Sequence, residues 1–139
     1  MNCARLWLVL AVLAVSGCAH GLVGTLPNVE GMEHAQIVII GRPALFTAGS
    51  WTVTLDGADL YAIGNGEHAI IAVPVGERII GVKFFSSAFR WEENTQTVTT
   101  EAGKVYYFRL DPSLGGVVFI NRITAETGRD LVSKTQRLP

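Results

Sequence analysis

From residue 36 onward, short runs rich in Val, Ile, Thr, Tyr and Phe alternate with turn residues at close spacing, and this alternation limits the fold most. Runs of about four to eight such residues between turn signals are typical of strands in an all-β domain. The clearest run is Trp51-Thr52-Val53-Thr54-Leu55. Its three apolar side chains are predicted to point to one face and its two threonines to the other, as in a half-buried strand.

Turn pairs divide the rest of the chain into further strands. Asp56-Gly57 and Asn65-Gly66 are typical of tight hairpins, because Gly and Asn accept a positive φ. The patterning predicts strands over residues 60–63, 68–73, 96–100, 105–110 and 117–123, with another that ends near residue 85. Thr124 is a candidate N-cap for a short helix over residues 124–134, although Gly128 within it costs about 1 kcal/mol relative to Ala. We predict a small antiparallel β-sandwich, immunoglobulin- or transthyretin-like, with a short C-terminal helix.

The first residues have the layout of a signal peptide. Residues 1–5 carry the terminal amine and Arg5, and residues 6–15 are an apolar run without charge. A membrane-spanning helix needs about 20 apolar residues, so this run is too short for a stable anchor. It ends in the sequence VSGC at residues 15–18, which is similar to the lipobox at which bacteria attach diacylglycerol to a cysteine and remove the leader.

Cys18 is therefore predicted to be the lipid attachment site. A disulfide would need Cys3, which lies in the segment that is removed, and a metal site would need further ligands. The alternatives are a secreted protein that is cut nearby and an inert thiol. If Cys18 carries two or more acyl chains, the anchoring is stable.

Cleavage before Cys18 would leave 122 residues, enough for one domain. The predicted organisation is a signal peptide over residues 1–17, a lipidated tether over residues 18–34 and a β-sandwich over residues 35–139. A flexible tether of this length spans roughly 20–23 Å, which would hold the domain just off the membrane. The leader removes one arginine, so the formal charge changes from −1 to −2, which argues against nucleic-acid binding.

Few residues suit catalysis, metal binding or cofactor binding. After the leader, the histidines are His20 and His34 in the tether and His68, which begins a strand and is expected to be a solvated edge residue. Asp56 and Asp59 offer two carboxylates to a cation, but a calcium loop needs about six oxygens, so turn formation explains them better. We predict a protein that is not an enzyme, with no metal and no cofactor.

One segment combines aromatic side chains with charge. Residues 84–93 read FFSSAFRWEE, and residues 86–94 are expected to connect two strands. Phe84 and one or two others could simply complete the core. The alternative is that Phe85, Phe89, Arg90 and Trp91 form an exposed surface that binds a protein partner or a sugar ring.

Two stretches carry a family resemblance: VTLDGADLYAIGNGEHAIIAVPVGERIIGV at residues 53–82 and TEAGKVYYFRL at residues 100–110. Together with the VSGC leader, they resemble the bacterial lipoproteins that carry the domain of unknown function 2846. The chain departs from many small envelope domains at Pro74-Val75-Gly76, where those domains place Pro-Gly directly. The resemblance implies a β-sandwich and an envelope location, and it implies no reaction.

The sequence thus predicts a lipoprotein of the cell envelope, anchored through Cys18. Ala19 follows the cysteine in place of the aspartate that retains enterobacterial lipoproteins in the inner membrane, so the resemblance implies the periplasmic face of the outer membrane. The expected role is a structural or protein-interaction module with a protein partner in the envelope. The alternative is a binding protein for a glycan or small envelope ligand.

Overall fold

A computed structural model describes residues 20–43 and 49–139 as two β-sheets and one helix. In chain order the elements are β1 (Gly21–Leu22), β2 (His34–Gly41), β3 (Ser50–Leu55), β4 (Ala58–Gly64), β5 (Glu67–Pro74), β6 (Gly76–Phe85), β7 (Trp91–Thr100), β8 (Val105–Pro112), β9 (Val118–Ile123), α1 (Ala125–Ser133) and β10 (Gln136–Arg137). Sheet 1 has the strand order β1-β4-β3-β6-β7, and sheet 2 has the order β10-β5-β2-β8-β9.

The two sheets enclose one apolar core. Side chains that alternate along the strands point inward, as the period of two requires, and Ile37, Val53, Val82 and Phe108 are fully buried between the sheets. The core is rich in β-branched residues, which pack well on a pleated surface. The predicted all-β sandwich with a short C-terminal helix is confirmed.

Sheet 2 is mixed rather than purely antiparallel. β8 lies parallel to β2, with Ile37 opposite Tyr106, and β10 lies parallel to β5, with Arg137 opposite His68. Every pairing in sheet 1 is antiparallel. The expectation of an antiparallel sandwich is therefore corrected for sheet 2, because the connection after β7 crosses from sheet 1 and brings β8 beside β2 in the same direction.

Of the two predicted hairpin turns, one is confirmed and one is wrong: Asn65-Gly66 joins β4 of sheet 1 to β5 of sheet 2, so it is a crossover between sheets and not a hairpin. Asp56 and Gly57 both have positive φ, 50° and 83°, which is the pattern of a type I′ hairpin between β3 and β4. Pro74 is the last residue of β5, and Val75 alone links it to β6 in the other sheet. The departure at Pro74-Val75-Gly76 is therefore a one-residue crossover between sheets.

Helix α1 begins as the sequence predicts. The Thr127 backbone N–H donates to the Thr124 hydroxyl oxygen over 3.2 Å, which satisfies one of the free donors of the first turn. Gly128 is buried where the helix packs on Tyr107 of β8, and a Cβ at this position would lie 2.7 Å from the Tyr107 Cβ. Tyr106 points to the opposite side and is buried in the core.

The predicted tether is partly a strand. Gly21 and Leu22 pair with Ala62 and Tyr61 of β4, and the Val23 backbone N–H donates to the Leu60 carbonyl over 2.9 Å. Residues 21–23 are therefore hydrogen-bonded to sheet 1, which corrects the expectation of a free tether up to residue 34. Cys18 itself lies outside the described residues.

Candidate functional site

The hairpin between β6 and β7 carries the residues predicted to bind a partner. Its loop, residues 86–90, is closed by a hydrogen bond from the Ser86 N–H to the Arg90 carbonyl over 2.9 Å. A second bond runs from the Phe89 N–H to the Ser86 carbonyl over 3.0 Å, and Phe89 has a φ of 57°. This tight turn leaves the Phe89 side chain outside the sandwich. The predicted connection over residues 86–94 is shorter in the structure, because Trp91 already begins β7.

The structure divides the aromatic segment between core and surface. Phe84 is buried in the core, whereas Phe85 is 50 %, Phe89 87 % and Trp91 72 % exposed. Phe84 and Phe85 separate because successive side chains on a strand point to opposite faces. Three of the four predicted partner-binding residues therefore form exposed apolar surface.

Trp91 and Phe85 are held together as a cross-strand pair. They face each other in the register of β6 and β7, and their ring centroids lie 5.6 Å apart at an angle of 68°. Such an edge-to-face contact is a favoured aromatic geometry. It restricts the orientation of the Trp91 ring while most of the ring stays accessible.

Arg90 is exposed but has a charged partner. Its Nε donates to the Glu92 Oε1 over 2.8 Å, and this hydrogen bond holds the pKa of the Glu92 carboxyl below its usual range. The pair lies at the surface, so water screens its contribution to stability. Its effect on the site is to leave the loop close to electrically neutral.

Leu114 joins this surface, and sequence reasoning missed it. It lies in the β8–β9 turn with its side chain fully exposed. The two hairpins touch, because the Asn94 amide donates to the Val118 carbonyl over 2.7 Å and a Cβ on Gly116 would lie 3.2 Å from the Phe85 carbonyl oxygen. The available signal was an apolar residue between Pro112-Ser113 and two glycines, where a turn is normally polar. We call the exposed surface of Phe85, Phe89, Trp91 and Leu114 the apolar end.

His68 is not the solvated edge residue that the sequence suggested. It is 4 % exposed, and its Nδ1 lies 2.8 Å from the Thr135 hydroxyl. The C-terminal strand β10 covers it, since the Leu138 N–H donates to the His68 carbonyl over 2.8 Å. Burial lowers the pKa of His68, and the charge of Arg137 lowers it further.

His20 is fixed in place at the start of sheet 1, contrary to its expected position in a free tether. Its Nδ1 lies 2.8 Å from the Glu67 Oε1, and the Glu67 Oε2 accepts from the Gly64 N–H over 2.7 Å. Residue 64 must be small here, because a Cβ would lie 2.7 Å from the His20 Cε1. These contacts therefore fix the position at which the chain enters sheet 1.

The acidic residues considered as cation ligands are engaged elsewhere. Asp56 pairs with Arg78 over 2.9 Å, and Asp59 pairs with Lys83 over 2.6 Å. Glu93 accepts a hydrogen bond from the Thr54 hydroxyl on the outer face of sheet 1. Within residues 20–43 and 49–139, no three His, Cys, Asp or Glu side chains are grouped as metal ligands.

An open depression of about 370 Å³ lies where β8 extends past the end of β9. Arg122 borders it, with its guanidinium carbon 5.0 Å from the centroid of the Tyr106 ring. The Tyr106 hydroxyl accepts from the Glu101 N–H over 3.0 Å. These contacts give Arg122 and Tyr106 structural roles at the rim of the sandwich.

Comparisons with known proteins identify no relative of this chain. The chain matches no family model, and searches of curated proteins and of solved structures return no match. The resemblance to the lipoproteins with the domain of unknown function 2846 stays a prediction. Among the helices of the described part of the chain, none has the length and apolar character needed to cross a bilayer.

Proposed function

We propose that this chain is a lipid-anchored protein of the bacterial cell envelope that acts as a non-catalytic binding module through its apolar end. The observation that carries this proposal is that Phe89, Trp91 and Leu114 lie together at two touching hairpins. Within the part of the chain that the structure describes, they are the most exposed large apolar side chains. Exposed apolar patches of this kind are typical of interaction sites. The VSGC leader supports attachment through Cys18, and Ala19 in place of an aspartate supports the periplasmic face of the outer membrane.

The contacts of the three histidines support a role without catalysis. His20 binds Glu67, His68 binds Thr135, and the Nδ1 of His34 lies 3.2 Å from the Met32 carbonyl oxygen. Each of these contacts ties one part of the chain to another. His68 is in addition buried beneath β10, so it does not face a surface where a substrate could bind.

Palmitate labelling in the bacterium tests the anchor. We expect label on the native chain and no label on Cys18→Ser, which should also keep its leader. Cys3→Ser is the matched control, because Cys3 lies inside the leader and its loss should change neither labelling nor processing. Label that persists on Cys18→Ser would contradict the proposal.

Photo-crosslinking in intact envelopes tests the binding surface. A photoreactive residue at Phe89 should give adducts that the same residue at Thr97 does not, because Thr97 is exposed on β7 away from the hairpin loops. Equal adducts at both positions would contradict a role for the apolar end.

Glycan binding is the second candidate, and the exposed Trp91 ring favours it. A fixed, accessible indole can stack on a sugar ring, and Arg90 lies beside it. Cosedimentation of the native chain with purified peptidoglycan, lost in Trp91→Ala, would support this candidate.

A further inference from the structure

The chain enters sheet 1 on the side of the sandwich where the apolar end lies. The register runs across the sheet from Gly21 to Ala62, Thr52, Lys83 and Glu93. Four antiparallel pairings separate β1 from β7, so these two strands run in the same direction. Residues that precede Gly21 and residues that precede Glu93 therefore leave the sheet at one end. Sheet twist changes how the two strands lean, but it does not change the end at which they leave.

The predicted attachment residue, Cys18, can be only a short length of chain away from this end. Cys18 is two residues before His20, which is fixed to Glu67, so its Cα is within about 7 Å of the His20 Cα. Four strand spacings separate β1 from β7, which places the entry point and Trp91 about 19 Å apart across the sheet. A lipid on Cys18 would thus hold this end against the membrane, without the free spacer that the sequence predicted.

The chemistry of this end suits the interface of a bilayer. Phe89 is 87 % and Trp91 72 % exposed, and Leu114 makes no burying contact. Aromatic side chains are enriched at membrane interfaces, where apolar groups enter the region between headgroups and acyl chains. Several carboxylates at this end are engaged by other side chains: Glu67 by His20, Glu92 by Arg90 and Asp111 by Arg109.

The opposite end has a different character. Its apolar side chains Leu26, Met32, Val75, Ile79 and Val105 are between 39 % and 49 % exposed. Arg78, Lys104 and Glu101 lie among them. Among the described residues, the three most exposed large apolar side chains, Phe89, Trp91 and Leu114, thus all lie at the end where the chain enters sheet 1.

We propose that the apolar end binds the lipid surface of the same membrane that holds Cys18, so that the sandwich stands on the bilayer and its opposite end faces the aqueous space. This proposal rests on the proposed lipid anchor and names the ligand class of the binding surface. The anchor and the apolar hairpins would then be two contacts with one surface. Together they would set the orientation of the domain.

Fluorescence quenching by brominated lipids tests this orientation. The acylated, processed protein is reconstituted in vesicles of phosphatidylethanolamine and phosphatidylglycerol with bromines at carbons 6 and 7 of one acyl chain. The variant Trp51→Phe leaves Trp91 as the fluorophore of the mature chain, since Trp7 is removed with the leader. The control combines Trp51→Phe, Trp91→Phe and Met32→Trp, which moves the indole to the opposite end. We expect a loss of emission for Trp91 and no loss for the indole at position 32.

A charge at the apolar end provides a second variant that should not disturb folding. Leu114→Asp, in the Trp51→Phe background, changes a fully exposed side chain and should reduce the quenching of Trp91. Met32→Asp introduces the same charge at the opposite end and should leave that quenching unchanged. Equal quenching in Leu114→Asp and Met32→Asp would overturn the proposal.

The outcomes separate this proposal from the proposed anchor. Mass spectrometry of the purified protein first shows whether Cys18 is acylated; a chain without acyl groups would overturn both. An acylated chain whose Trp91 is not quenched would overturn the bilayer contact and leave the anchor standing. A shift in Trp91 emission with soluble peptidoglycan fragments, without quenching in vesicles, would assign the surface to a glycan. A specific protein adduct at Phe89, again without quenching, would assign it to a protein partner.

Discussion

The substitution Gly128→Ala in helix α1 should change the free energy of unfolding through two effects of opposite sign. Ala is intrinsically more favourable than Gly in a helix interior by about 1 kcal/mol, so helix propensity alone predicts a more stable protein. Packing predicts the reverse, because the added methyl group would meet the side chain of Tyr107, including its Cβ at 2.7 Å. A Cβ is fixed to its backbone, so rotation of the Tyr107 ring does not remove this contact. Either the helix or β8 must shift.

Overpacking of a well-packed site costs about 1–3 kcal/mol, and the rigid position of the Tyr107 Cβ favours the upper part of that range. After the gain in helix propensity, we expect a net loss of about 1–2 kcal/mol in the free energy of unfolding. The assay is urea unfolding of residues 18–139 carrying Cys18→Ser. With an m-value of about 2 kcal/mol/M, the midpoint should fall by about 0.5–1 M.

Two comparisons isolate the cause. Arg129 is exposed on the same helix, so Arg129→Ala against Arg129→Gly measures the intrinsic difference between these residues without the clash. In a Tyr107→Ala background the ring atoms are gone, and the penalty of Gly128→Ala should shrink. A higher urea midpoint for Gly128→Ala in the native background would refute the packing argument.

Two further perturbations test local features of the fold. Thr124→Ala removes the N-cap of α1 and should lower the free energy of unfolding by about 1 kcal/mol in urea, whereas Thr124→Ser keeps the hydroxyl and should not. The pKa of His68 lies below its ordinary value of 6.5, so between these two values the unfolded chain binds more protons than the folded one. Stability is therefore fully present above pH 6.5 and should be lost as the pH falls through the folded-state pKa. Urea midpoints measured across this range should show the slope in the native chain and a smaller one in His68→Asn; equal slopes would contradict the assignment to His68.

Local sequence patterns predicted the strands and turns better than they predicted which residues are buried. The alternation in Trp51-Thr52-Val53 correctly predicted a strand, and Asp56-Gly57 correctly predicted a hairpin, because both depend on neighbouring residues only. The same patterns could not say that His68 is buried, because the strand that covers it lies almost seventy residues later in the chain. The sequence made Gly128 look unfavourable in a helix, whereas the structure shows that Tyr107 requires it.

The candidate site was predicted in part for the same reason. Phe89 and Trp91 stood out as aromatic residues in a short polar connection, and both are exposed. Leu114 was missed because it lies in another hairpin, which touches the first through Asn94. The exposure of a residue depends on its neighbours in space, and the sequence shows only its neighbours in the chain.

By itself, the sequence determined the succession of strands, the Asp56-Gly57 hairpin and the N-cap of the final helix, because each depends on a few adjacent residues. The leader that ends at Cys18 stays a prediction. Only the tertiary structure decided that β8 pairs in parallel with β2 and β10 with β5, and that residues 21–23 join sheet 1. It also decided that the entry of the chain and the exposed hairpins share one end of the sandwich. These features depend on hydrogen bonds and contacts between distant segments. Such pairings form when the two sheets bury their apolar faces together, and no short stretch of the sequence encodes them.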